Sequence, residues 1–89
     1  MTTMFVRHTV TDYKAWRKGY DEFAPVRKAH SVQAAAVYQA ADNPNDVTVT
    51  HEFPTLAGAQ AFASSDELKK AMHGAGVVGA PTIWFTNKV

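Results

Sequence analysis

The chain predicts an α+β fold, a four-stranded antiparallel sheet with two helices on one face. Three observations carry this. Residues alternate between apolar and polar along Met4–Val10 and again along Asp46–Phe53, the period of a half-buried strand. Each of these stretches runs into a segment whose apolar residues recur every three or four positions, the period of a helix face. The segments follow one another as β-α-β-β-α-β.

Taken in order, the first strand covers Met4–Val10, with Met4, Val6, His8 and Val10 on one face and Phe5, Arg7 and Thr9 on the other. Thr11 or Asp12 caps the helix that follows, since either side chain can accept an unpaired first-turn N–H. Tyr13, Trp16, Tyr20 and Phe23 line one stripe of that helix, which is expected to run to Ala24. Pro25 ends it, or opens a second short helical segment, PVRKAH. Ser31–Ala40 reads as the second strand, although alanine is a weak strand former. Asp42–Asp46, DNPND, is a turn, and Asp46–Phe53 is the third strand, so the two make a hairpin.

Thr55 is placed to cap a helix with Leu56, Ala59, Phe62 and Ala63 inward. Ser64-Ser65-Asp66 interrupts it and restarts a segment with Leu68, Ala71 and Met72 inward. GAGVVGAP reads as a glycine-rich connection that lids a cleft, and Thr82–Asn87 as the last strand. Right-handed crossovers then favour the sheet order 4-1-3-2, the ferredoxin-like βαββαβ arrangement.

Eighty-nine residues make one domain, 1–89, with a small core. Nine Lys and Arg against eight Asp and Glu give a net charge of +1, with the basic residues scattered. That balance argues against a nucleic-acid or membrane-surface binder working by charge. Without cysteine there is no disulfide framework, thiolate nucleophile or cysteine metal site. No signal peptide or membrane span is legible, so a cytoplasmic protein is expected.

Two helices cover one face of such a sheet. If they cover the Val6/His8/Val49/His51 face, the other carries Phe5, Arg7, Val37, Thr48, Thr50, Glu52 and Trp84. That face is too apolar for water alone, and a two-fold partner presenting the same face would bury it, so a homodimer is expected. A monomer with a half-wet sheet is the alternative.

The stretches VRHTVTDYKAWRKGYDEF, DNPNDVTVTHEFPTLAGAQAFASSDELKKAM and GVVGAPTIWF resemble the dimeric α/β-barrel superfamily, near the antibiotic-biosynthesis-monooxygenase-like proteins. The resemblance spans nearly the whole chain. It implies two sheets packed into a barrel between subunits, with a small-molecule cleft between helices and sheet in each. The superfamily holds cofactor-free oxygenases, haem degraders, isomerases and cyclases, so it names no reaction. Its haem degraders use an Asn on the first strand and a Trp and a His in the second helical region. Val6, Phe62 and Met72 stand at the nearest positions here, and His73 is about 100° away around a helix, which speaks against that route.

The candidate catalytic residues are His8 and His51. Strands one and three are expected to be antiparallel neighbours with His8 facing His51 and, by the same register, Arg7 facing Glu52 on the reverse side. A register slipped by two would put His8 opposite Val49 and Arg7 opposite Thr50. An imidazole in an apolar cleft stays neutral near pH 7 and could take a proton from a phenol or from a carbon beside a carbonyl. His8 and His51 would then be base and orienting partner in cofactor-free oxygenation, isomerisation or cyclisation of an apolar or aromatic small molecule. The plainer reading is a hydrogen-bonded pair of core histidines. No metal is expected, because no HxxxH or similar spacing occurs.

Trp16, Tyr20, Tyr38 and Trp84 are candidate substrate contacts, each with an apolar body and a polar tip, and each equally at home in a core. Arg7 could meet a substrate carboxylate or simply pair with Glu52. His30 and His73, near element ends, read as solvated. The letters GxGxxG occur at Gly74, Gly76 and Gly79, but they precede a strand and open no helix, so no phosphate loop is expected. A non-catalytic ligand-binding module and a structural dimer with a filled core remain the competing classes.

Overall fold

The computed structural model describes residues 1–89. The elements are β1 (Thr2–Val10), α1 (Tyr13–Glu22), α2 (Ala24–Ala29), β2 (Ala34–Ala40), β3 (Asn43–Phe53), α3 (Leu56–Ala63), α4 (Asp66–Gly74) and β4 (Val77–Asn87). The strands form one antiparallel sheet in the order β2-β3-β1-β4, which is the expected 4-1-3-2. No helix is long and apolar enough to cross a membrane.

Alternation along β1 and β3 becomes burial. Met4, Val6, His8 and Val10 are buried, as are Val47, Val49, His51 and Phe53, while the residues between them are not. The helices cover that face. Ala59 and Phe62 of α3 and Leu68 of α4 pack with Met4, Val6 and Phe53, and Trp16 of α1 packs with Val10, Val47 and Val49. Asp12, Thr55 and Ser65 each accept a first-turn N–H and so cap α1, α3 and α4. Pro25 does open a new segment: α1 stops at Glu22 and α2 carries Pro25 in its first turn, where a missing N–H leaves no bond unmade.

Several boundaries differ from expectation. The turn between β2 and β3 is Ala41-Asp42, and β3 begins at Asn43. Pairing runs from Ala40↔Asn43 directly to Gln39↔Val47, so Pro44, Asn45 and Asp46 bulge. A bulge tolerates Pro44 because its nitrogen has no hydrogen to offer the ladder. The glycine-rich connection is no lid either. Val77–Pro81 belongs to β4 and pairs with the end of β1 through an irregularity between Arg7 and Thr9. Gly76, at φ +80, is required where it stands, since a Cβ there would lie 2.7 Å from Thr11 Oγ1. Leu56, expected inward, is 43% exposed.

The register between β1 and β3 overturns both expected pairings. His8 faces Val47, His51 faces Met4, Arg7 faces Thr48 and Glu52 faces Thr3, a slip of four residues from the expectation. Any even slip leaves the same residues on the same face, so alternation alone cannot distinguish these registers. Arg7 instead reaches Asp46, with Nε donating to Oδ1 at 3.0 Å and a terminal nitrogen donating to Oδ2 at 2.6 Å. Val37 also changes sides: it faces Val49 and packs under the helices.

The open face carries Phe5 stacked on Trp84 at 5.1 Å, with Thr48, Thr50, Tyr38 and Val78 around them. Tyr38 is 57% exposed there.

Phe62 is fully buried against Phe23, Phe53 and the His30 and His51 rings. Phe62→Ala is therefore expected to lower the unfolding free energy by about 3–5 kcal/mol. Leu56→Ala, one helical face away, should cost less than about 0.5 kcal/mol. Urea denaturation of the two variants checks the contrast.

Candidate functional site

Between sheet and helices lies a cavity of about 50 Å³. Val6 and Val49 form its floor, Trp16 and Tyr20 of α1 and Phe23 just after it hang over one side, and Leu68 and Met72 of α4 close the other. His8 and His51 are both in its wall. They reach it because each holds an inward position of a central strand. The slipped register puts four residues between them along the sheet, about 13 Å at the rise of a strand. They therefore do not face or orient one another.

Each imidazole has an aromatic neighbour of its own. His8 meets Trp16 edge-on at 5.6 Å, and Trp16 stacks between Tyr13 and Tyr20. His51 meets Phe62 edge-on at 5.3 Å. His8 is 7% exposed and His51 5%, yet Nδ1 and Nε2 of His8 and Nδ1 of His51 have no hydrogen-bond partner. Buried polar atoms in native proteins are almost always bonded, so three unpartnered ring nitrogens on two side chains of the cavity wall are unusual.

Burial disfavours the charged ring. It lowers the pKa of His8 below the ordinary 6.5 and pushes that of His51 down to about 4, where the positive charge of Arg27 acts in the same direction. Both rings are neutral at pH 7.

Arg27 is the cavity residue that sequence reasoning passed over. Its guanidinium lies 3.9 Å from the centre of the Tyr20 ring and donates to the Tyr20 carbonyl. The side-chain ion pairs of the chain are Arg7–Asp46, Arg17–Asp21 and His30–Glu67, so Arg27 has no carboxylate partner. The usable signal was its spacing of two helical turns from Tyr20, hidden by the break at Phe23 that separates the two helices.

Of the residues singled out from sequence, His8, His51, Trp16 and Tyr20 share the cavity wall. Arg7, Tyr38 and Trp84 lie on the opposite face of the sheet and do not reach it. His30 is not simply solvated: it contacts Phe62 and sits 3.1 Å from Glu67, whereas His73 is exposed. No three His, Cys, Asp or Glu side chains gather to hold a metal ion.

In sequence, no family model matches the chain and no curated protein does. In structure it is similar to several solved proteins. A Bordetella bronchiseptica protein provisionally named an antibiotic biosynthesis monooxygenase superposes with a TM-score of 0.84 at 15% identity, over 99% of this chain and 96% of that one. SnoaB of Streptomyces nogalater, a cofactor-independent oxygenase, superposes with a TM-score of 0.80 at 9% identity, over 99% and 92%. NE2512 of Nitrosomonas europaea, a protein of unknown function, gives 0.74 at 19% identity, over 96% and 85%. At such identities the likeness speaks for the backbone alone. The chain thus has the ferredoxin-like α+β fold of the antibiotic-biosynthesis-monooxygenase-like proteins.

Proposed function

We propose that the helix–sheet cavity of this chain, a single domain over 1–89, is a small-molecule site in which His8 acts as a cofactor-free base. The observation that carries the reading is the pair of unpartnered nitrogens on a buried imidazole in the cavity wall. A neutral ring can take a proton from a phenol or from a carbon beside a carbonyl, and the pKa best suited to the task lies near the working pH. His51, held at about 4, is a poor base at pH 7 and serves better as a neutral hydrogen-bonding contact. Trp16 and Tyr20 supply the aromatic wall. Arg27, without a carboxylate partner, favours the enolate or phenolate left after proton removal. Oxygenation, isomerisation and cyclisation all start from that anion.

The small volume favours a second reading. An aromatic ring needs more than about 50 Å³, so with the helices as they stand the chain could be a binding module for a small polar group or a dimer with a nearly filled core. We place Arg7, Tyr38 and Trp84 in a homodimer interface rather than around a substrate. The stacked Phe5–Trp84 pair and the exposed Tyr38 and Val78 make an apolar face that a second copy would cover.

Proton removal from a benzylic ketone such as 2-tetralone can be followed by NMR as deuterium uptake from solvent. The wild-type chain is expected to accelerate the exchange, and His8→Ala to slow it about 10²-fold or more. Exchange at equal rates in the two proteins would sink the catalytic role and leave the binding module. In sedimentation the wild type is expected at twice 9.7 kDa, with Trp84→Arg shifting it toward the monomer. Stability should also depend on pH. An unfolded His51 binds a proton below about 6.5; the folded one does so only below about 4. Between these values the unfolded state holds more protons, so stability falls as the pH drops, by about 3 kcal/mol in all from this group. His51→Gln should flatten that part of a thermal-melt series from pH 7 to pH 4.

A further inference from the structure

We infer that the helix–sheet cavity takes a small carboxylate, held by the Arg27 guanidinium with the His51 ring as a second donor. This rests on the preceding reading of the cavity as a small-molecule site. It goes further in the ligand it names: the negative charge belongs to the ligand as it arrives, not to an intermediate formed by proton removal.

Charge is the first argument. With both imidazoles neutral, Arg27 is the one ionised side chain in the cavity wall at pH 7, and no Asp or Glu lines the space. Arg27 is half-buried and takes part in none of the ion pairs of the chain. It makes one hydrogen bond, from a terminal nitrogen to the Tyr20 carbonyl, and its guanidinium lies 3.9 Å from the centre of the Tyr20 ring. These contacts hold the guanidinium in place and leave most of its five N–H donors unused. A partly desolvated cation with spare donors and no counter-charge favours an anion over a neutral ligand, because hydrogen bonds between charged groups are about twice as strong as neutral ones.

The second argument is the buried imidazole in the same wall. His51 is 5% exposed, and its Nδ1 has no hydrogen-bond partner. The charge of Arg27 is felt at this ring, so the two act on the same region of the cavity. In the neutral tautomer with its proton on Nδ1, the ring can donate to an oxygen. A carboxylate has two oxygens and so accepts from the arginine and the imidazole together. Size then narrows the class. A cavity that accepts benzene measures about 150 Å³. This one is about 50 Å³, a third of that. It suits the three heavy atoms of a formate-sized group and excludes an aromatic acid or a tetrahedral phosphate.

The test uses the full chain and two probes of the same size and planar shape, formate and the neutral formamide, at constant ionic strength and pH 7. The ¹⁵N-labelled histidine rings and arginine Nε groups are followed by NMR. In the wild type, formate is expected to shift the His51 ring and Arg27 Nε signals and to bind about tenfold or more tightly than formamide. Arg27→Gln should bring formate down to the affinity of formamide while the protein still melts cooperatively. Arg27→Lys, which keeps the charge and loses the planar fork, should fall between the two. The comparison of the two probes in the wild type stands whether or not the variants fold. If formamide binds as tightly as formate, or if formate binds Arg27→Gln undiminished, the carboxylate assignment is wrong while the cavity remains a site for a small polar group. If neither probe moves the His8 or His51 signals, both readings fail.

Discussion

Two aromatic side chains pressed onto one face of two central strands organise this molecule. Phe62 covers the Met4, Val6 and Phe53 end, and Trp16 covers the Val10, Val47 and Val49 end. Because these are separate clusters, the middle of the sheet is covered by side chains that only partly meet, and the cavity over Val6 and Val49 is what remains. Each cluster also receives one histidine, His8 beside Trp16 and His51 beside Phe62. Core and candidate site are therefore built from the same residues, which is why a mutation in one is felt in the other.

Electrostatics sets the two faces of the sheet apart. Beneath the helices, neutral imidazoles lie in apolar surroundings with three ring nitrogens unpaired. A buried unsatisfied polar group costs about 1–3 kcal/mol, so valine at either position would give a more stable core. On the other face the charges are wet. Arg7 and Asp46 hold one another's ionised forms, raising the arginine pKa and lowering that of the carboxyl, but in an exposed setting such a pair adds little stability. The cost is concentrated at the cavity, where a small domain with little stability in reserve has most reason to avoid it unless the groups are used.

Both outer strands pair irregularly with their inner neighbours. β2 pairs with β3 through the Pro44–Asp46 bulge, and β4 pairs with β1 through the irregularity beside Gly79 and Pro81. In β4, an edge strand, Gly79 and Pro81 interrupt the row of free backbone groups that would otherwise recruit strands from other chains. The same irregularities tie the sheet to its helices. Asn45, inside the bulge, accepts the N–H of Tyr13 at the start of α1, and Thr11 donates its N–H to the Gly76 carbonyl. The first turn of α1 is thereby fixed over His8.

Local chemistry was enough for much of this. Period-two alternation assigns His8 and His51 to the buried face, period-3.6 spacing puts Trp16 and Tyr20 on the inward stripe, and Asp12, Thr55 and Ser65 announce their helices, because each signal depends only on near neighbours in the chain. The order of elements leaves one simple strand arrangement, and the chain adopts it. What local chemistry cannot carry is anything unchanged by an even slip of a strand. The partners of His8, His51, Arg7 and Glu52 were decided by how far the crossover helices carry the chain before it returns, and so was the 13 Å or so between the two imidazoles. The stretches around Gly79 and Pro44 read as loops because glycine and proline serve loops and bulged strands alike. Arg27 and the volume of the cavity depend on how side chains from α1, α2 and α4 meet over the sheet, a packing outcome that exists only in three dimensions.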